Sequence, residues 1–368
     1  MFASYRLPNF IFAATFCLLA TNGLLATTSF VATVSGADDN LPSSDTSQAV
    51  PVVQTTHSGP IVIAHRGASG YLPEHTTEAA TLAHGMAVDF IEQDVVLSKD
   101  GIPVVLHDVT LNSVTNVAEV FADRAVDNKY FVFDFTLEEL RRLSVTERQT
   151  STVRFPRGQG SFRISTLAEH LQLIRGLNRA RNKQIGVYVE LKKPSLHKAQ
   201  GLDLTKKVLS TLAEFGYNKH DDNIFLQCFE GDEIKRLRTE FHCRLPLIQL
   251  YSKRPSVQTL SEISKYADGI GVNIEALVEP TAKGGIQANG LAKQAHDVAL
   301  QVHAWTFRTD QLPRWAATSD ELLNLLFNEA RINGLFADQP DVVLHYLEKT
   351  ATRQADRGPF HLLNDNGK

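Results

Sequence analysis

Cysteine is scarce in this 368-residue chain, with three in all, so no disulfide framework is expected to hold the fold together. Cys228 lies near the end of one strand-like run and Cys243 just before the next. In a parallel sheet these positions fall at opposite ends, so both are read as buried thiols and not as a pair. Positive charge is not in excess either: 37 Lys and Arg stand against 41 Asp and Glu. There is no basic patch interleaved with aromatics and no long like-charge run, which argues against nucleic acid as a partner. Unbroken apolar runs are also missing. The mostly apolar stretch Phe10 to Ala26 is interrupted at Thr21-Asn22-Gly23, short of the roughly 20 consecutive residues a spanning helix needs, so no stable membrane span is expected.

That N-terminal stretch has another use. Arg6 supplies a basic start, the apolar middle follows, and Ser35-Gly36-Ala37 offers small residues before Asp38, so residues 1–37 read as a secretory signal peptide and the protein as periplasmic or secreted. Cys17 follows Thr15-Phe16 and lacks the small-residue context of a lipid-anchored cysteine. Residues 38–59, rich in Ser, Thr, Pro and Gln, read as a flexible leader.

The remainder suits one large domain over residues 60–350, with a C-terminal tail at 351–368. Apolar, strand-like runs recur at 61–64, 90–96, 185–191, 224–229, 246–251, 269–272, 302–307 and 335–337. Helical patterns at 76–86, 203–215, 232–241 and 256–266 separate several of them, and Thr136-x-x-Glu139 and Thr166-x-x-Glu169 carry capping-box signals. Eight β/α units predict an α/β fold, a TIM (β/α)8 barrel with its active site at the carboxyl ends of the strands. Residues 109–162 break the alternation. They are read as an insertion after the second strand and its hairpin, packed over the mouth of the barrel.

Polar chemistry concentrates between Ile61 and Asp108. The run Ile61 to Ala64 stops abruptly at His65-Arg66-Gly67. Glu92 and Asp94 sit two apart in a strand and so project from one face, where their repulsion is tolerable if water or a cation separates them. Lys99-Asp100-Gly101 marks a hairpin whose return brings His107 roughly level with that acidic pair. Either histidine alone reads more readily as a buried side chain bonded to a backbone carbonyl than as a catalytic one. Two histidines, an arginine and an E-x-D pair at strand ends read as one shared site.

At these residues the chain resembles the glycerophosphodiester phosphodiesterase family, in its bacterial periplasmic type. The ordered elements are His65-Arg66-Gly67, Pro73-Glu74-His75-Thr76, Glu92-Gln93-Asp94 and His107-Asp108. They continue through Glu190-Leu191-Lys192 to Ala337-Asp338-Gln339-Pro340, covering nearly all of the mature chain. The resemblance implies a TIM barrel, a small-molecule glycerophosphodiester substrate, and a metal set of Glu92, Asp94 and Glu190 with Lys192 near the phosphate. Three carboxylates and no cysteine suit a hard cation, and export favours Ca²⁺ over Mg²⁺. Arg66 suits the phosphate with a two-pronged grip. His65 and His107 would divide the proton transfers, which calls for imidazoles near their ordinary pKa of about 6.5. The attacking group is either the glycerol's own 2-hydroxyl or water. Phe229, after Gln227 on one face, and Trp305, between His303 and Phe307 on another, are candidates to line the substrate pocket. His75 is expected to orient the loop after Arg66, and Asp338 to fix the last strand-to-helix turn. Two alternatives remain: a sphingomyelinase D- or phospholipase-like enzyme acting on membrane lipids, and a non-catalytic surface binding barrel. The first lacks an amphipathic basic helix to meet a bilayer, and the second is at odds with a full complement of catalytic groups.

Overall fold

The computed structural model describes residues 59–148 and 154–356. Residues 1–37, read above as a signal peptide, with Cys17 among them, all of the expected leader but its last residue, and positions 357–368 lie outside the described residues. The first strand, β1 (Ile61–Ala64), is buried along its whole length, as a run without polar residues requires when both faces are covered. The chain continues through β2 (Phe90–Leu97), β3 (Pro103–Val105), β4 (Gly186–Leu191), β5 (Ile224–Cys228), β6 (Leu247–Tyr251), β7 (Gly269–Asn273), β8 (Val278–Pro280), β9 (Ile286–Ala288), β10 (Gln301–Phe307) and β11 (Gly334–Ala337). Eight of these are parallel neighbours in the order β1-β11-β10-β7-β6-β5-β4-β2, and β1 pairs with β2 through Ile63↔Phe90 and Ala64↔Ile91 to close the ring. The closed eight-stranded barrel predicted from the apolar runs is what forms. As expected, β3 is the antiparallel return of a hairpin, in register Val95↔Val105, across a turn whose Gly101 takes φ 74°.

Alternation along the strands sorts side chains into two layers. Outward residues such as Val62, Ile91, Val187 and Leu335 join the helices in the large core. Inward residues fill the barrel: Ile61, Ile63, Phe90, Tyr188, Ile248 and Phe336 form a plug, with Phe225 and Trp305 packed against it. Its rings meet edge-on or stacked, Tyr188 lying 4.9 Å from Phe336 and 5.0 Å from Phe225 between centroids. Such crowding requires a strand neighbour without a side chain. A Cβ on Gly186 would lie 2.4 Å from the Phe90 ring. Above the plug, toward the carboxyl ends, the same inward positions become Glu92, Asp94, Glu190 and Gln227, so the site rests on an apolar floor.

The helices follow their capping signals. Thr76 caps Thr77–Gly85, and both predicted capping boxes form, at Thr136/Glu139 and Thr166/Glu169. The insertion has its own small core, in which Leu111, Val132, Phe135, Leu140 and Phe162 pack on Val96, Val104 and Leu106 of the hairpin.

Three sequence expectations need correction. Phe307 does not share the inward face of His303 and Trp305. A register irregularity between Ala304 and Phe307 turns it outward into the helix layer. Cys243 is only partly buried, although both it and Cys228 are free thiols as expected. The final helix runs Pro340–Asp356, into the stretch read as a tail. The β8–β9 hairpin was not foreseen, because neither three-residue strand carries an apolar alternation. The described residues of the insertion meet the barrel mouth through Arg148 and Arg154, which pair with Glu74, Asp108, Asp310 and Asp338, and Val109 and Thr110 line a cavity beside the central one described below.

Candidate active site

A cavity at the carboxyl end of the barrel is lined by His65, Arg66, Glu92, Asp94, His107, Glu190, Lys192, Gln227, Phe229 and Trp305, together with Arg308 and three other residues. All nine site residues named from the sequence meet there. The barrel explains the convergence. β2 and β4 pair with Asp94 beside Glu190, and the hairpin return places the Leu106 amide on the Asp94 carbonyl at 2.9 Å, leaving His107 at the rim.

His65 and Arg66 follow β1 on a sharp turn. Arg66 itself has φ 57° and Gly67 φ 80°. Any side chain at Gly67 would also strike the backbone of the first helix, at 2.7 Å from the Ala79 carbonyl carbon, so glycine is required twice over. The turn aims the Arg66 amide at Glu92 Oε2, 2.9 Å away. Its guanidinium donates Nη1 to Glu74 at 2.9 Å and lies 3.6 Å from Asp94. The two-pronged grip expected of Arg66 is therefore shared with Glu74.

Glu92, Asp94 and Glu190 each bring an oxygen within 4.8 Å of the others, and all three are buried. Burial, then Asp94 and Glu190, push the Glu92 carboxyl well above its usual range. Glu190 is pushed up to about 8, by burial and Asp94 against the pull of Lys192. Burial also acts to raise Asp94, but Lys192, His107 and His75 outweigh it and hold that carboxyl well below its usual range. Lys192 bonds Glu190 at 2.7 Å and lies 3.6 Å from Asp94, while Gln227 donates to Glu92 at 3.0 Å. Asp94 Oδ1 is buried without a hydrogen-bond partner. Three converging carboxylates, two resisting ionisation and one with an unused oxygen, fit a hard divalent cation.

Each histidine presents one nitrogen to the cavity and ties the other to a carboxylate. His65 Nδ1 lies 2.6 Å from Asp338 Oδ1, and His107 Nδ1 lies 2.6 Å from Asp108 Oδ1. Both aspartates are held well below the usual carboxylate range, against the effect of burial, by their histidine and by arginines. Ionised carboxylates only accept, so each Nδ1 carries the hydrogen and each Nε2 lone pair faces the site. The imidazoles do not keep their ordinary pKa. Burial, then Arg66, lower His65 to about 4, and the same two causes lower His107. His75 does orient the loop: its amide donates to the Arg66 carbonyl at 3.0 Å, and its Nε2 lies 2.7 Å from Asp94. Trp305 and Phe229 meet edge-to-face at 5.7 Å on one wall, with the Lys192 ammonium 5.9 Å from the Phe229 ring.

Sequence reasoning missed three residues and understated the part played by a fourth. Asp338 holds His65 and does not merely fix a turn. Arg308 lines the cavity and reaches Asp338 at 3.2 Å. Arg148 and Arg154 enter from the insertion, where no periodicity marks them.

Residues 65–342 match the model of the glycerophosphoryl diester phosphodiesterase family. A glycerophosphodiester phosphodiesterase of Haemophilus influenzae is 35% identical over 79% of this chain and 90% of its own length, and one of Treponema pallidum is 33% identical over 79% and 92%. Among solved structures, one from Silicibacter pomeroyi covers 80% of this chain and 95% of its own at TM-score 0.61 and 22% identity. An Oleispira antarctica phosphodiesterase in complex with its product sn-glycerol 3-phosphate covers 78% and 97% at TM-score 0.57 and 20% identity. With most of the chain matched by the family model, and with relatives a third identical over nine-tenths of their length, the protein belongs to the glycerophosphoryl diester phosphodiesterase family.

Proposed function

We propose that this protein is an exported, metal-dependent hydrolase that cleaves glycerophosphodiesters such as glycerophosphocholine and glycerophosphoethanolamine to sn-glycerol 3-phosphate and an alcohol. The observation that carries this reading is the pair of carboxylate-anchored imidazoles at the rim of one acidic cavity. Neutral and with Nε2 turned inward, one imidazole takes the proton of the attacking hydroxyl. The other donates to the departing alkoxide. A bound phosphodiester adds negative charge beside Arg66, offsetting the effect that lowers the imidazoles and so favouring the protonated form needed for donation. Arg66 and Lys192 hold the phosphate oxygens, and the Trp305–Phe229 wall takes the glycerol backbone. When bound by Glu92, Asp94 and Glu190, a divalent ion, Ca²⁺ in preference to Mg²⁺, supplies further positive charge for the phosphate. The adjoining cavity of about 480 Å³ shares His107, Glu190, Lys192 and Phe229 with the first and gives the alcohol moiety room to extend.

The test is release of sn-glycerol 3-phosphate from glycerophosphocholine. Activity that a chelator abolishes and Ca²⁺ restores is expected, whereas no release with metal supplied refutes the reading. His65→Ala and His107→Ala are each expected to lower kcat by about 10²- to 10⁴-fold; near-parental kcat for either removes that residue from the proton path. Export rests on the pattern at residues 1–37. N-terminal sequencing of the protein from its own cells should begin at Asp38, and recovery of Arg6 would overturn it.

A further inference from the structure

We infer that Arg148 and Arg154, from the insertion, are positioning residues that brace the two histidine–aspartate pairs of the site. The inference rests on the catalytic reading above and extends it to a segment that lies outside the central cavity.

The two arginines repeat one arrangement. Arg148 lays Nε and Nη2 on the two oxygens of Glu74, at 2.9 and 2.7 Å, and gives Nη1 to Asp108 Oδ2 at 2.8 Å. Arg154 lays Nε and Nη2 on the two oxygens of Asp310, at 2.9 and 3.0 Å, and gives Nη2 also to Asp338 Oδ2 at 2.7 Å. In each case a planar fork is anchored on one acid of the barrel rim while an N–H holds the aspartate that orients a histidine. A fork held at two points fixes its remaining donor far better than a flexible ammonium would. The aspartate then has its outer oxygen pinned and its inner oxygen aimed at Nδ1, which sets the ring plane and the tautomer. Arg148 reaches further, because Glu74 also receives Nη1 of Arg66. One side chain of the insertion is thereby tied to both a histidine and the phosphate-binding arginine. The Arg154 side chain is only 8% exposed and donates in addition to the Ser69 carbonyl at 3.3 Å, behind the His65 loop. Neither arginine lines the central cavity, so contact with substrate is not what holds them there.

The test uses the full chain and glycerophosphocholine, with Arg148→Met and Arg154→Met as variants and Arg124→Met as control. Arg124 bonds Glu139 and lies 4.3 Å over Phe135 inside the insertion, so its loss loosens the insertion without touching either aspartate. The expected result is a fivefold or greater fall in kcat for each of R148M and R154M, with KM within threefold of the parent and R124M within twofold in kcat. Low-field proton resonances from the two Nδ1–H groups, present in the parent, should shift or broaden in the matching variant only. If a methionine variant fails to fold, R148Q or R154Q, which keep a neutral amide donor but are shorter than arginine and lack its fork, take its place under the same criteria. A fall of less than fivefold, a rise in KM in place of a fall in kcat, or an equal loss in R124M would overturn the inference. A parent chain without activity, or active H65A and H107A variants, would instead strike the underlying catalytic reading.

Discussion

Asp338→Asn tests the site at its most constrained atom. Asp338 Oδ2 faces Arg154 Nη2 at 2.7 Å and Arg308 Nε at 3.2 Å, and guanidinium nitrogens only donate. An asparagine must therefore keep its single oxygen on that side and turn its NH2 toward His65 Nδ1, 2.6 Å from the present carboxylate. Donor then faces donor unless the imidazole moves its hydrogen to Nε2. The ring stays in place, but the lone pair that should accept a proton is lost. Removing one general acid–base function lowers kcat by about 10²- to 10⁴-fold, equivalent to about 2.7–5.4 kcal/mol of barrier. KM should change little, since Asp338 is buried beneath the imidazole and does not line the cavity. Neutralising a carboxylate between two arginines also destabilises the fold, so a thermal melt accompanies the kinetics and rates are read well below the transition. A D338N enzyme with kcat within threefold of the parent would refute the assignment of tautomer and, with it, the role of His65.

Further outcomes follow from the same geometry. Arg66→Lys keeps the charge but cannot hold Glu74 and a phosphate oxygen together, so kcat/KM should fall about ten- to a hundredfold; unchanged turnover would make Arg66 a structural ion-pair partner. Gly67→Ala meets both a left-handed φ and the Ala79 backbone, whereas Gly216→Ala meets only the φ of 87° with open space around it. G216A should therefore lose about 1 kcal/mol and G67A clearly more, lowering Tm by at least about 2 °C more than G216A, and equal melts would refute the steric account. His303 is buried with Nδ1 2.8 Å from the Tyr188 hydroxyl, and burial lowers its pKa to about 3. Its folded value lies below the unfolded value of about 6.5, so the unfolded chain binds the extra proton first and stability falls as pH drops from about 6.5 toward 3. In His303→Leu the urea-unfolding free energy should decline less steeply between pH 6 and 4, by up to about 1.4 kcal/mol per pH unit, and identical slopes would count against a buried neutral imidazole.

What could be read from the sequence is whatever local periodicity dictates. Glu92 and Asp94 share a face because strands alternate, and His107 returns beside them because Asp100-Gly101 closes a tight hairpin. Phe307 escaped that logic, since one irregularity in β10 inverts the alternation after Ala304. The histidine pKa values escaped it for another reason: desolvation beside Arg66 depends on how deeply the closed barrel covers the ring. Arg148 and Arg154 lie in irregular chain, and nothing in their spacing marks the acids they meet.

Asp338 is different, because its partnership with His65 was within reach of the strand count. The two lie 273 residues apart, yet β1 and β11 are hydrogen-bonded neighbours, with the His65 amide on the Ala337 carbonyl at 3.0 Å. An open sheet with the same strands would leave its first and last edges apart. A closed barrel makes them adjacent, and parallel register then sets the residue after β1 level with the residue after β11. Closure, once inferred from eight apolar runs, therefore pairs an imidazole at one end of the domain with a carboxylate at the other. Any substitution that opened the β1–β11 seam would separate His65 from the group that fixes its proton while leaving the acidic cluster on β2 and β4 in place.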